Sequence, residues 1–283
     1  MSNRSGRAQI ARETLEILER GGYTSPSGNE IRVDDSLRFA RENSVLYTPE
    51  MYGDVFKRRD ALPRDERELK FEVVNETTLA AARVRVETDP QLDILCLNFA
   101  SAKNPGGGFL GGSRAQEESL ARSSGLYPCI NQMQTMYETN RGLRSCLYTD
   151  HMIYSPQVPV IRDDEGVLLD ESYCVSFLTS PAVNAGAVRK NDPKNNDKIA
   201  PTMISRIEKL LSVAAIYGHD CLVLGAWGCG VFKNDPVDVA GWFYDHLVGN
   251  PAFKGQFKKV VFAVTDWSEE RRFIGPFEER FGA

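Results

Sequence analysis

The sequence predicts an α/β protein with a parallel or mixed sheet and helices on both of its faces. Three observations predict it. Residues 71–74, 77–86 and 92–99 read as strand, helix and strand, which make a βαβ unit. Residues 203–217 place Ile204, Ile207, Leu210, Leu211, Ala214 and Ala215 on one apolar face, an amphipathic helix that leads into a second apolar strand at 221–224. Both apolar strands, 92–99 and 221–224, run directly into glycine-rich loops. In α/β sheets that position lies at the carboxyl ends of strands, where ligands bind.

The elements follow in order. Residues 8–20 form a partly amphipathic helix that Gly21 and Gly22 stop. Ser25-Pro26-Ser27-Gly28 is a turn signal within 23–33 and predicts a small hairpin. Asp34 or Asp35 caps a second helix through Leu37, Phe39 and Ala40. The charged stretch 51–70, with Pro63, reads as a surface connection holding at most one irregular helix. Residues 1–70 are therefore expected to be an accessory extension, and 71–283 the catalytic domain. After the βαβ unit, Ser113 and Gln116 fit a capping box, so a helix is expected from about Arg114 to Ser124. A further helix is expected around 130–140, with short strands at 152–154 and 158–161, a turn at 163–166, and a strand at 173–178. Residues 182–197 read as loop. Gly218 ends the long helix, and Asp235-Pro236 starts another that runs to about Val248. The last strand is 260–264 and the last helix 268–281.

Composition narrows the function. A chain of 283 residues that is 42% hydrophobic can bury a core and is not disordered. A net charge of −5 gives no broadly basic face, which excludes a DNA-coating role. The six cysteines are scattered without CxxC pairs, and Cys96, Cys174 and Cys221 sit in apolar runs, so disulfides are not expected. The first residues are too polar for a secretory signal, and no apolar run reaches the roughly 20 residues of a membrane span. A cytoplasmic protein is expected. His151, His219 and His246 lie far apart in the sequence, so no metal is expected.

The chemistry concentrates at 98–127. Gly106, Gly107 and Gly108 are followed by Gly111 and Gly112, then by Gln116, Glu117 and Glu118. The second loop, 225–232, reads GAWGCGVF. Neither is a Walker A or a dinucleotide fingerprint. Two glycine loops facing one cleft can grip a diphosphate through backbone N–H groups and helix N-termini. Adjacent glutamates on a helix point roughly 100° apart, so they cannot flank one bond as the pair of an ordinary glycosidase does. They suit a division of labour, with one holding sugar hydroxyls and the other shuttling a proton. The helix dipole favours the ionised carboxylate, so a catalytic proton needs burial or a bound phosphate to hold it.

A triple glycine, a seven-residue spacer and Gln-Glu-Glu, together with the GAWGCGVF loop, resemble the signatures of microbial-type poly(ADP-ribose) glycohydrolases. The resemblance runs from about Phe71 to the C-terminus, and the N-terminal region resembles the helical extension of this branch. It implies a macrodomain, a three-layer α/β/α sandwich. It implies hydrolysis of the ribose–ribose O-glycosidic bond of poly(ADP-ribose), releasing ADP-ribose with no cofactor, and a role in reversing ADP-ribosylation in the DNA damage response. Poly(ADP-ribosyl)ated proteins are the implied partners, with neither membrane nor direct DNA binding, and a monomer is expected. Carried onto this chain, Glu118 is the catalytic acid and base, and Glu117 and Asn104 hold hydroxyls of the ribose being cleaved. Gly106, Gly107, Gly108, Gly228, Cys229, Gly230 and Val231 belong to the two diphosphate loops, and Phe232 packs on the ribose nearer the adenine. Phe99 and Ala100 border the adenine, and Gln116 orients the first loop. Thr265 and Asp266 either line the cleft or cap a helix. Asn184 belongs either to the adenine end or to a turn. The competing reading is a non-catalytic ADP-ribose reader, which has the same loops but no need for Glu118. A weaker one is a phosphatase or deacylase acting on ADP-ribose derivatives.

Overall fold

The computed structural model describes residues 3–64 and 68–282; residues 65–67 of the charged connection lie outside it. Helix α1 (Arg4–Arg20) ends on Gly21, whose φ of 78° is left-handed backbone that glycine adopts without strain. The hairpin β1 (Gly22–Thr24) and β2 (Glu30–Arg32) follows. Helix α2 (Asp34–Glu42) has Val33 at its N-cap position, not an aspartate. Asp34 pairs with Arg32 at 2.6 Å instead. Next come β3 (Val45–Tyr47) and α3 (Tyr52–Asp60). Helix α3 is more than a surface connection. It buries Tyr52 and Val55, and its buried Arg59 reaches Glu208 and Ser212 of the long helix described below.

The central elements are β4 (Lys70–Val74), α4 (Thr78–Thr88), β5 (Ile94–Phe99), α5 (Gln116–Ser123), α6 (Leu126–Asn131) and α7 (Gln134–Gly142). They are followed by β6 (Met152–Arg162), β7 (Leu168–Ser180), α8 (Ala185–Asn191), α9 (Ile199–Ile216), β8 (Cys221–Leu224), α10 (Pro236–Tyr244), β9 (Lys259–Ala263) and α11 (Gly275–Phe281). The two short strands expected at 152–161 are one strand with a register shift between Ser155 and Val158, where Gln157 takes a φ of 50°. The expected loop at 182–197 contains α8, which Asn184 caps by accepting the Ala187 N–H at 3.0 Å. The last helix is shorter than expected. Asp266 accepts the N–H groups of Ser268, Phe273 and Ile274 and holds the intervening residues as a turn.

Seven strands form one mixed sheet in the order β3-β6-β7-β5-β8-β9-β4. The five from β7 to β4 are parallel, and β6 runs against its neighbours. The expected βαβ strands, β4 and β5, share this sheet but are not adjacent; β8 and β9 lie between them. Residues before 71 are part of the same body, since β3 forms one edge of the sheet.

Alternation along β5 shows how the layers assemble. Leu95 and Leu97 pack into a core with α9 residues such as Met203, Ile207 and Leu210. Ile94 and Cys96 face the other way, into a core with Leu79 of α4, Leu120 of α5 and Met136 of α7. A strand covered on both faces must be apolar throughout, and 94–97 are. Fully burying such side chains stabilises the fold by about 1.5–3 kcal/mol each. The six cysteines carry no disulfide. Among the described residues, no helix is long and apolar enough to cross a membrane.

Candidate active site

The carboxyl ends of β5, β8 and β9 open onto a cleft of about 750 Å³. Its lining includes Phe99, Ala100, Gln116, Glu117, Glu118 and the run Gly228–Phe232, so the two segments that carried the sequence signal do meet.

Gln116 fixes the first of them in place, by a route the sequence did not reveal. It does not close a capping box: α5 begins at Gln116 itself, with Ala115 at the N-cap position and no side-chain cap. The Gln116 carboxamide instead turns back to β5. Its Oε1 accepts the Phe99 N–H at 2.8 Å, and its Nε2 donates to Leu97 O at 2.7 Å and to Thr78 Oγ1 at 3.0 Å. The helix carrying both glutamates is thereby bolted to the end of the central strand.

Glu117 points inward and is only 3% exposed. It accepts the Ser101 N–H at 2.6 Å and an Asn98 Nδ2 proton at 3.3 Å. Burial pushes its carboxyl up to about 8, against the pull of those donors, and the neighbouring Glu118 charge pushes the same way. Sequence reasoning missed Asn98. Its signal was a single amide interrupting the apolar run of β5.

Glu118 lies half-buried, one residue further round the helix, and lines the cleft. Its Oε1 accepts the Gly108 N–H at 3.0 Å. Gly107 has a φ of 59°, and a Cβ placed there would collide with Glu118 Oε1. Gly107 donates to Asn104 O at 3.0 Å and Gly108 donates to Glu118, so their N–H groups are not turned to the open cleft. Asn104 and Gly106 to Gly108 are not among the residues lining the cleft. They form the turn behind the Glu118 side chain.

Helix α1 clamps that turn from outside. Arg4 Nε donates to Gly111 O at 3.0 Å, and Arg7 Nε donates to Gly112 O at 2.9 Å. Thr14 Oγ1 donates to Arg122 O at 2.6 Å. Gly112 has a φ of 73°, and a side chain there would strike the Arg4 carbonyl.

The second loop is built differently. Trp227 is fully buried, with Nε1 on Ser180 O at 3.1 Å, and Asn234 Nδ2 holds Val183 O at 2.8 Å. Gly228 has a φ of 74°, and a Cβ there would lie 2.6 Å from that of Ala182. Gly230 has open space around it, and Val231 is 79% exposed. Among the described residues, the N–H groups of Gly230, Val231 and Phe232 have no protein acceptor. Cys229 is buried, and burial pushes its thiol up, away from the reactive thiolate.

At the β9 end, Thr265 and Trp267 line the cleft, and Trp267 is 84% exposed. Asp266 is the support beneath them. Burial opposes its ionisation, but its hydrogen bonds from Ser268, Phe273 and Ile274 hold it down at about 2.

The profile of the microbial-type PARG catalytic domain matches residues 11–163. The crystal structure of poly(ADP-ribose) glycohydrolase from Thermomonospora curvata is 46% identical over 98% of this chain and 100% of that one, with a TM-score of 0.92.

The chain belongs to the microbial-type poly(ADP-ribose) glycohydrolase family.

The T. curvata enzyme bound to the inhibitor ADP-HPD aligns at the same identity with a TM-score of 0.90, over 98% of this chain and 100% of that one. The glycohydrolase from Deinococcus radiodurans in complex with ADP-ribose is 44% identical over 86% of this chain and 96% of that one, with a TM-score of 0.79. Among curated proteins no match was found. The glycohydrolase fold and the glycosidase class expected from the sequence are those of the family.

Proposed function

We propose that this poly(ADP-ribose) glycohydrolase hydrolyses the ribose–ribose O-glycosidic bond of the polymer with Glu118 as its general acid and base. ADP-ribose, the ligand of the D. radiodurans relative, occupies the strand-end arm of the cleft. The N–H groups of Gly230, Val231 and Phe232 bind its diphosphate at the end of β8, with the Phe232 ring against the adenine-side ribose and Phe99 and Ala100 at the adenine. Glu117, which a buried carboxyl near 8 keeps largely protonated at neutral pH, holds hydroxyls of the ribose being cleaved.

The bond from the anomeric carbon to the leaving ribose oxygen breaks as Glu118 donates its proton to that oxygen. An oxocarbenium-like centre develops on the ribose that stays. Water then adds to the anomeric carbon and gives its proton to Glu118, which restores the acid. The products are ADP-ribose and a polymer shorter by one unit. General acid–base catalysis of this kind contributes roughly 10²–10⁴-fold. Poly(ADP-ribosyl)ated proteins are the proposed carriers of the polymer, and the proposed setting is a cytoplasmic monomer.

One observation carries the assignment. The Gly108 N–H and the shape of Gly107 fix the Glu118 carboxyl at the cleft, and an ADP-ribose reader has no use for an acid held there. Glu118→Gln preserves size and hydrogen bonding but cannot shuttle a proton. Labelled polymer is expected to survive the variant, with release slowed at least 10²-fold and ADP-ribose affinity retained. Wild-type release by the variant would overturn the role of Glu118.

A further inference from the structure

Phe232 is backed by a segment that does not line the cleft. The connection between α7 and β6 brings the Tyr148 ring to 6.1 Å from the Phe232 ring, centroid to centroid, at an interplanar angle of 48°. Tilted aromatic pairs at that separation attract one another. Both residues are half-buried. Phe232 lines the cleft, and Tyr148 is not among the lining residues.

Tyr148 stands there with left-handed backbone, at a φ of 58°. A bulky residue rarely adopts that conformation, and it persists only where the surroundings over-determine it. Here they do. Arg206 of α9 is fully buried, and its guanidinium gathers the acceptors of this connection. Its Nη2 donates to Leu147 O at 3.1 Å and to Tyr148 O at 3.2 Å, its Nη1 to Pro181 O at 3.0 Å, and its Nε to Asp150 Oδ1 at 2.8 Å. A planar guanidinium has fixed donor directions, so these acceptors set the course of the chain through Tyr148. The Tyr148 hydroxyl meets the Asn184 side chain, which also caps α8.

The loop that carries Phe232 is fastened from the same side. The Gly186 N–H of α8 donates to Phe232 O at 2.9 Å, and Arg189 Nη1 donates to Lys233 O at 2.9 Å. Lys233 also has a φ of 58°. Among the described residues, left-handed backbone outside glycine occurs at Tyr148, Gln157, Lys233 and Arg271. Two of these meet at Phe232, one against its ring and one next in the chain, and strain of this kind collects at ligand clamps. We propose that Tyr148 is a positioning residue for ADP-ribose: held by Arg206 and Asn184, its ring fixes the Phe232 ring in the orientation that receives the adenine-side ribose. This rests on the function proposed above. A ring fixed before the ligand arrives need not be ordered on binding, which strengthens affinity.

The test is a double-mutant cycle read by calorimetry with ADP-ribose. Tyr148→Ala is expected to weaken affinity about tenfold, and Tyr148→Phe, which keeps the ring, to recover most of it. In a Phe232→Ala background the same Tyr148→Ala change is expected to cost less than about twofold, because the ring it steadies is gone. Tyr148→Leu serves in the same cycle if the alanine variant does not fold. Wild-type affinity in Tyr148→Ala overturns the proposal. So does an equal loss with and without Phe232, which is what a merely structural role for Tyr148 would give. Either result leaves the glycohydrolase reading standing if the wild type binds ADP-ribose. If the wild type does not bind it, that reading fails and the role of Tyr148 fails with it.

Discussion

In the loop that follows β5, the N–H groups of Gly107, Gly108, Phe109, Gly111 and Gly112 all donate to protein acceptors. In the loop that follows β8, Gly230, Val231 and Phe232 have no protein acceptor among the described residues. Both loops are glycine-rich, and both leave the carboxyl end of a parallel strand. The first places its glycines in a tight turn around the Glu118 carboxyl and is gripped from behind by α1. The second is anchored through Trp227 and Asn234 but leaves its outer face open. A glycine loop at a strand end therefore carries two distinct meanings: room for the protein's own carboxylate, or room for a ligand. The neighbour a Cβ would meet tells them apart.

That contrast can be broken most sharply at Gly107. An alanine there must displace the Glu118 carboxyl, and a 1 Å misplacement of a catalytic group costs about 10²-fold. Polymer hydrolysis by Gly107→Ala is expected to fall by about that factor, with ADP-ribose affinity by calorimetry nearly kept. If affinity is lost instead, the first loop binds ligand after all. Gly230→Ala is the mirror experiment. Nothing surrounds a Cβ there, so thermal stability is expected within about 0.5 kcal/mol of wild type, while ADP-ribose affinity weakens about tenfold. Unchanged affinity would remove the second loop from the ligand.

The smallest effect concerns Glu117. Its folded pKa, about 8, lies above the ordinary carboxylate value of 4.5. The stability linked to its bound proton is present in full below about pH 4.5 and is lost as the pH rises through about 8. Glu117→Gln lacks this titration. Its melting temperature is expected to gain a few degrees on the wild type between those limits. A constant difference across the range would mean that Glu117 is ionised throughout.

What the sequence disclosed was local. The apolar runs of β5 and β8, the Gly218 stop of α9, the Asp235-Pro236 start of α10 and the glutamate pair were each legible from a few neighbouring residues. What it concealed was long-range. Gln116 has the right spacing for a cap, but its partners are Phe99 and Leu97, brought near only by the folded sheet. The β4–α4–β5 segment has the pattern of a βαβ unit, yet nothing local records that β8 and β9 will insert between its strands. Arg7 of α1 and Gly112 of the first glycine loop are 105 positions apart in sequence, and only the packing of the folded chain unites them. By its place in sequence Asp266 suits either the cleft or a helix cap; α11 begins at Gly275 with no side-chain cap, and Asp266 instead holds the N–H groups of Ser268, Phe273 and Ile274 in the turn that carries its neighbour to the rim.

That neighbour gives the protein an optical asymmetry. Of its three tryptophans, Trp227 is sealed inside, Trp242 is half-covered, and Trp267 stands in water at the mouth of the cleft. Emission from an indole in water lies to the red and is open to iodide, whereas the sealed one emits to the blue and is shielded. A molecule seated at the β9 end shades only the outer indole, so occupancy can be followed in the intrinsic fluorescence without a label.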